Sequence, residues 1–399
     1  MSTFKRSVIA ALIALMGVGL LAIYSATAAD SGTSYLVKQV IWIVVGLGAM
    51  FGMSLVRTKT LEAFSPIIYA VVLLMLVLVL VAGSGPHGAK RWFNFGFMRF
   101  QPSELAKLGT IFFLARYLSG RTAIGDSIRS VLVAFAIVGV PALLILYEPD
   151  LGTALVLGFI AFPMLYAAGL DSLYLAFLVS PFLAMISAGE IVTWVIFLVF
   201  LIAVMVRAKF RTSFVVLIFA INFVVGSLAP RIWMGLEPYQ RQRIEAFLDP
   251  EAYRHGAGFQ AIQSKIAIGS GGLIGKGLFK GTQKALGLVP EQHTDFVFSV
   301  IGEELGLITC LAVLGLLLYV ILKFFDVAKT ARDRFTTYVV SGFASLVLVQ
   351  AIVNIGMNLG MIPVTGLTLP FLSYGGSSII VLLSGVGIVF SAYGARKGY

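Results

Sequence analysis

Ser65 to Gly83 reads SPIIYAVVLLMLVLVLVAG, an apolar run without a single charged residue. Coiled into a helix, such a run is long enough to cross roughly 30 Å of hydrocarbon. Comparable runs recur on both sides of it. They fall at approximately 7–28, 37–56, 65–83, 103–119, 130–147, 151–169, 172–188, 190–206, 210–229, 296–323, 336–360 and 376–394, about twelve candidate spans. Strand-like alternation is absent, which argues against a membrane β-barrel. Of the 399 residues, 59% are hydrophobic and only 12% are charged. A soluble domain carries roughly 25% charged residues. The surplus apolar surface needs lipid as its solvent. The expectation is an all-α, polytopic transmembrane helix bundle forming one domain over 1–399.

The formal net charge of +11 would suggest nucleic acid in a soluble protein. Here the basic residues lie mostly between apolar runs, so membrane topology and contact with anionic lipids account for them, without nucleic acid. Cys310 lies alone inside an apolar run, so no disulfide forms within the chain. Lys5 and Arg6 precede the first run, and Ala26-Thr27-Ala28 resembles a signal-peptidase site. The run from Ser7 to Ile23 exceeds an ordinary signal-peptide core, so a retained first span is expected.

If the spans alternate, Lys5/Arg6, Arg57/Lys59, Arg116/Arg121/Arg129, Arg207/Lys209/Arg211, Lys323 to Arg334 and Arg396/Lys397 share one side. The charge rule makes that side cytoplasmic, with both termini on it. The opposite side receives Gly85 to Phe100, the Glu148-Pro149-Asp150 turn and a large loop, 230–295, before the third-last span.

Polar residues of unusual specificity gather on that second side. Ser103 is placed to cap the fourth span, and Glu104 and Lys107 share a helix face. A lysine just inside a membrane helix is costly unless it is paired or lines a cavity; a local ion pair beside an interfacial Trp92 is the plain alternative. Glu148 and Asp150 flank a proline, where Asp150 reads first as a cap for the next span. The large loop carries Arg231, Arg241, Arg243, Arg254, Lys265, Lys276, Lys280 and Lys284 among glycines such as Gly269, Gly271 and Gly272. Glycine lets backbone N–H groups approach an anion closely, so the loop suits an anionic, lipid-borne headgroup, or else anionic lipids. Asp295 closes the loop at the membrane boundary, where partial loss of water suits a general base; as an N-cap it would do ordinary structural work. Glu303 and Glu304 lie deeper, read here as glue between helices. Gly360 to Ser378 is broken backbone, tolerated at membrane depth only where protein covers it or it walls a watery cavity.

Taken together, Gly88-Ala89-Lys90-Arg91-Trp92, Gln101-Pro102-Ser103-Glu104, Pro149-Asp150-Leu151-Gly152-Thr153, Pro290 to Phe296 with Gly302 to Gly306, and Leu369 to Ser378 resemble the SEDS proteins (shape, elongation, division and sporulation). The resemblance covers nearly the whole chain, and the stretch from Gln263 to Gln283 is more similar to elongation members than to division members. It implies a peptidoglycan glycosyltransferase acting on lipid II, with a class B penicillin-binding protein as transpeptidase partner, in the bacterial cytoplasmic membrane with its active site outside. By the same resemblance Asp295 is the essential aspartate, Glu104 and Lys107 are the conserved pair of the fourth span, and Trp92 is the outer-loop tryptophan. Asp150 and Ser377 fall in two further family motifs that wall the substrate site. Lys107, Arg91, Arg243 and Lys265 are the candidates to meet the diphosphate of the leaving group. A divalent cation, Mg²⁺ or Mn²⁺, would be able to share that task, and no ligand cluster for one is legible.

Two departures stand out. The family core has about ten spans, so an extra hairpin is expected between about 172 and 229. Many relatives carry Gln where this chain has Glu148. A lipid II transporter is the competing reading: it accounts for the many spans and the broken late helix, and less well for specific residues confined to one face.

Overall fold

The structure, a computed structural model, describes residues 3–27, 32–85, 90–96, 99–121, 124, 128–253, 257–282 and 292–395. Gly88, Ala89, Arg254, Lys284, Pro290, Glu291, Arg396 and Lys397, all used in the sequence reading, lie outside the described residues.

Every apolar run named above is helical. The order is α1 (Thr3–Thr27), α2 (Gly32–Leu55), α3 (Thr58–Ala82), a two-stranded hairpin of β1 (Phe93–Asn94) and β2 (Arg99–Phe100), α4 (Pro102–Ser119), α5 (Ile128–Tyr147), α6 (Leu151–Ala167), α7 (Ser172–Leu178), α8 (Ser180–Ser187), α9 (Ile191–Arg207), α10 (Thr212–Gly235), α11 (Pro238–Leu248), α12 (Ala257–Ser270), α13 (Val297–Lys329), α14 (Arg334–Asn358) and α15 (Gly376–Ala395). Eight of these are long and apolar enough to cross a membrane. The remaining runs differ for visible reasons. α4 carries Glu104, Lys107 and Arg116. α6 and α9 are 17 residues each. The run at 172–188 is interrupted at Val179, just ahead of Ser180-Pro181, where proline supplies no N–H to continue the ladder. The large loop also begins later than expected, because α10 continues through Pro230 to Gly235. Two helices, α11 and α12, lie within it.

Burial separates the centre of the bundle from its lipid face. In α14, 78% of the apolar window is buried, in α15 67%, and in α2 only 11%. Val44, Phe51, Val81 and Ile196 are therefore exposed to what must be hydrocarbon. Lipid gives no hydrophobic drive between helices, so close contact relies on small residues. At Gly387 of α15 a Cβ would stand 2.3 Å from the Met50 carbonyl oxygen of α2. α7 to α10, where the extra hairpin was expected, pack a satellite core of Leu201, Met205, Phe214 and Ile218 apart from the main one. A cleft of about 250 Å³ between α5, α7, α8 and α10 is lined by none of the candidate site residues.

The two ends of the bundle differ in chemistry. At one end Arg116 donates to the carbonyls of Glu62 and Ala63, Arg334 to that of Arg121, and Ser391 to that of Val56. At the other end sit Asp150, Asp295, Ser377 and the 359–375 segment, tied together by the bonds described next.

Candidate active site

Asp295 stands immediately ahead of α13. It does not cap that helix: Phe296 holds the N-cap position. With Phe296 as the N-cap, the N–H of the third helical residue, Ser299, is bonded to Asn358 Oδ1 at 3.1 Å. The expected cap is thus supplied from another helix. The Asp295 carboxylate faces Gly366, where a Cβ would stand 3.5 Å from Oδ2. Gly366 has φ +77°, a conformation that glycine adopts without penalty. Phe296 packs with Met357, Val364 and Ala261. Val364 and Ala261 in turn line a small pocket together with Arg243, Phe247, Lys265 and Gly360. Two of the expected diphosphate ligands therefore share one wall beside the aspartate. Lys265 lies across Gly360, where a Cβ would meet its Cε at 1.9 Å.

A second group forms around the α5–α6 turn. Asp150 caps α6, accepting from the Thr153 N–H at 3.1 Å and the Thr153 hydroxyl at 2.9 Å, and it also accepts from Gln101 at 3.2 Å. Its role is to hold the turn against α4. Arg91 donates to the main-chain carbonyls of Glu148 and Pro149, so part of its fork clamps that turn. Ser377 accepts from the Gln101 N–H and donates to the Arg99 carbonyl, joining α15 to the hairpin. Trp92 is half-buried on the strand that leads into the hairpin and bridges Ser84 through its main chain. Ser103 does not cap α4: Gln101 occupies the N-cap with Pro102 following it, and the Ser103 hydroxyl is buried without a partner.

Lys107 and Glu104 form the expected ion pair, at 2.7 Å and almost wholly buried. α4 and α14 meet where Gly342 faces Ile111. From that contact the helical rise carries Lys107 about one turn and Asn354 a little over three turns towards the site. Along the helix axes the pair therefore stands on the order of 10 Å short of Asn354.

Gly360 to Gly375 joins these groups. Gly152 packs on the Thr365 carbonyl, Gly366 faces Asp295, and Gln39 of α2 bonds both the Ser373 carbonyl and the Gly375 N–H. Tyr374 N–H donates to the His293 carbonyl. Asn354 and Asn358, buried in α14, were not singled out from the sequence. Their i, i+4 spacing at the end of an apolar helix was the available signal. Glu304 accepts from Ser25 of α1 and so acts as the expected glue between helices, while Glu303 accepts from Lys276 and Thr282 and ties the large loop to α13.

Glu148 is different. It is fully buried, and neither carboxylate oxygen has a partner. Burial, helped by the negative charge of Asp150 and opposed by Arg91, pushes its pKa up to about 8. The folded state therefore holds a proton that the unfolded chain loses near pH 4.5. Between these values stability falls as pH rises, and the full cost, on the order of a few kcal/mol, is present above pH 8. Glu148→Gln is expected to flatten that part of the melting temperature profile and to raise stability on its alkaline side, measured by thermal unfolding across the range.

Comparison with known proteins settles the kinship. The cell cycle protein family of FtsW, RodA and SpoVE matches residues 5–192 and 172–397. The chain belongs to this family. It is 36% identical to the peptidoglycan glycosyltransferase MrdB of Escherichia coli, over 97% of this chain and 92% of that one. It is 33% identical to the stage V sporulation protein E of Bacillus subtilis, over 94% and 93%. Among solved structures it matches a chain of a peptidoglycan synthase complex that coordinates polymerization and crosslinking, with TM-score 0.74, 32% identity and full coverage of both chains. The rod shape determining protein RodA of Thermus thermophilus matches with TM-score 0.64 and 28% identity, over 98% of this chain and 97% of that one. An aspartate-to-alanine variant of the same protein matches with TM-score 0.65 and 27% identity, with full coverage of both. Like its relatives, the chain is a multi-pass membrane protein of the SEDS kind.

Proposed function

We propose that this chain is a peptidoglycan glycosyltransferase that polymerises lipid II into glycan strands during cell-wall elongation. The observation that carries the reading is the Asp295 carboxylate held against the broken 359–375 segment, with Arg243 and Lys265 lining the adjoining pocket. A single displacement needs a base for one oxygen and positive charge for another. Asp295 takes the proton of an acceptor sugar hydroxyl as that oxygen bonds to the donor anomeric carbon. The bond to the polyprenyl diphosphate breaks in the same step, inverting the anomeric centre. Charge develops on the departing diphosphate, where Arg243 and Lys265 stabilise it. Trp92 meets the lipid-linked sugar, Arg91, Asp150 and Ser377 keep the turn and hairpin in place, and Lys107 with Glu104 supports the site. Among the described residues no three His, Cys, Asp or Glu gather to hold a metal ion. A Mg²⁺ or Mn²⁺ held mainly by the substrate diphosphate would share the charge of the leaving group, and the residue roles above stand with or without it.

The basic end of the bundle is cytoplasmic, both termini with it, and the site opens on the outer face of the bacterial cytoplasmic membrane. All twelve or so apolar runs cross in this reading, around the large outer loop between α10 and α13. The transpeptidase partner is a class B penicillin-binding protein. The elongation role rests on the likeness to MrdB and to the rod shape determining structures. The test is polymer formation from purified lipid II by the detergent-solubilised chain, with and without that partner. Glycan strands are expected. No strands in any mixture, divalent cations included, together with lipid II crossing a proteoliposome bilayer, would replace this reading with a transporter.

A further inference from the structure

Asn354 and Asn358 stand one turn apart near the end of α14, both at 0% exposure. The side-chain amide of Asn354 donates to the Asp295 carbonyl at 2.9 Å and to the Leu367 carbonyl at 2.6 Å. That of Asn358 donates to the same Asp295 carbonyl at 3.0 Å, while its Oδ1 accepts the Ser299 N–H. A group facing two carbonyls must be the NH₂ end, so these partners fix the Asn354 orientation. Ser264 donates to the Asn358 main-chain carbonyl at 2.8 Å, and Lys265 is the next residue.

Three parts of the site thus converge on one turn of helix: the candidate base, the wall that faces it and the helix that carries a candidate cation. Buried amides inside a membrane bundle are expensive unless engaged. Apart from the bonds between the two asparagines, the amide bonds go to backbone at Asp295, Leu367 and Ser299. Such a hub sets where the carboxylate stands relative to Gly366 and Lys265, and misplacement of a reacting group by about 1 Å can cost 10²-fold in rate.

We propose that Asn354 and Asn358 are positioning residues that hold the Asp295 carboxylate in register with the acceptor hydroxyl and with Lys265. The proposal rests on Asp295 being the base. Its test compares wild type, Asn354→Ala, Asn354→Asp and Asp295→Asn in lipid II polymerisation, as kcat and KM across about pH 5 to 10, because burial raises the pKa of a carboxyl introduced at this position. Asn354→Ala is expected to lose on the order of 10- to 100-fold in kcat with KM within about twofold. Asn354→Asp keeps the volume; ionised, it turns two oxygens towards the carbonyls, and protonated it regains one donor. Its activity relative to wild type is therefore expected to rise as pH falls, whereas a packing role gives a constant ratio. Normal kcat in Asn354→Ala, or a pH-independent ratio for Asn354→Asp, beside an inactive Asp295→Asn, overturns the positioning role alone. An Asp295→Asn protein that polymerises normally overturns the base assignment and this inference with it. Should the alanine variant not fold, the isosteric Asn354→Asp ratio decides.

Discussion

Asp295→Asn is expected to cut lipid II polymerisation by about 10²–10⁴-fold, the contribution of one well-placed general base. The fold should scarcely register the change. The anchoring bonds from Asn354 and Asn358 end on the Asp295 main-chain carbonyl, which asparagine retains. The cap of α13 comes from Asn358 and Phe296, not from the aspartate side chain. Melting temperature, yield in the membrane and binding to the transpeptidase partner should therefore match wild type while glycan strands disappear. A variant that loses stability as much as activity would return the residue to a structural role. Wild-type rates would remove it from the chemistry.

Gly306→Ala is expected to be severely destabilising. α13 is broken at Gly306, with φ 77° and ψ −177°, a region open essentially to glycine alone at a cost of about 1–3 kcal/mol for other residues. The break frees backbone groups that the segment at 272–277 takes up. Lys276 and Gly277 N–H groups donate to the carbonyls of Glu303 and Glu304, and Leu307 and Ile308 N–H groups donate to those of Gly272 and Leu273, at 3.0–3.1 Å. A Cβ on Gly306 would stand 2.3 Å from the Gly275 nitrogen, so the two backbones would have to part. Losing these bonds at about 1 kcal/mol each, with the strain added, amounts to several kcal/mol. Thermal unfolding should show a fall on the order of 10 °C, or the variant should fail to accumulate in the membrane. Gly315→Ala, in the same helix with nothing within 4 Å of its Cβ, is the control expected to behave as wild type.

Much of the chemistry could be read along the chain. The Glu104–Lys107 pair followed from helical spacing and the cost of a lone buried charge, and Asp150 as a cap from its place before Leu151-Gly152-Thr153. Ser103 and Asp295 as caps followed the same local logic and were wrong. In each case the terminus is satisfied otherwise: Gln101 and Pro102 start α4, and a side chain from α14 reaches the end of α13. Local rules describe which groups need partners, and distant segments can supply them first.

The apolar runs by themselves determined a helical membrane bundle, because hydrocarbon leaves a backbone only helices or closed barrels to satisfy its hydrogen bonds and the runs lack the alternation of a barrel. Charge between the runs pointed to one end as basic, and motif order pointed to the other as the place of reaction. Only the tertiary structure decided what surrounds Asp295. Gly366, Asn354 and Lys265 are far from one another in sequence or lie on separate elements, and their approach depends on how α12, α13 and α14 pack. That packing is set by shape and by single hydrogen bonds from buried amides, neither of which leaves a period or a spacing in the sequence.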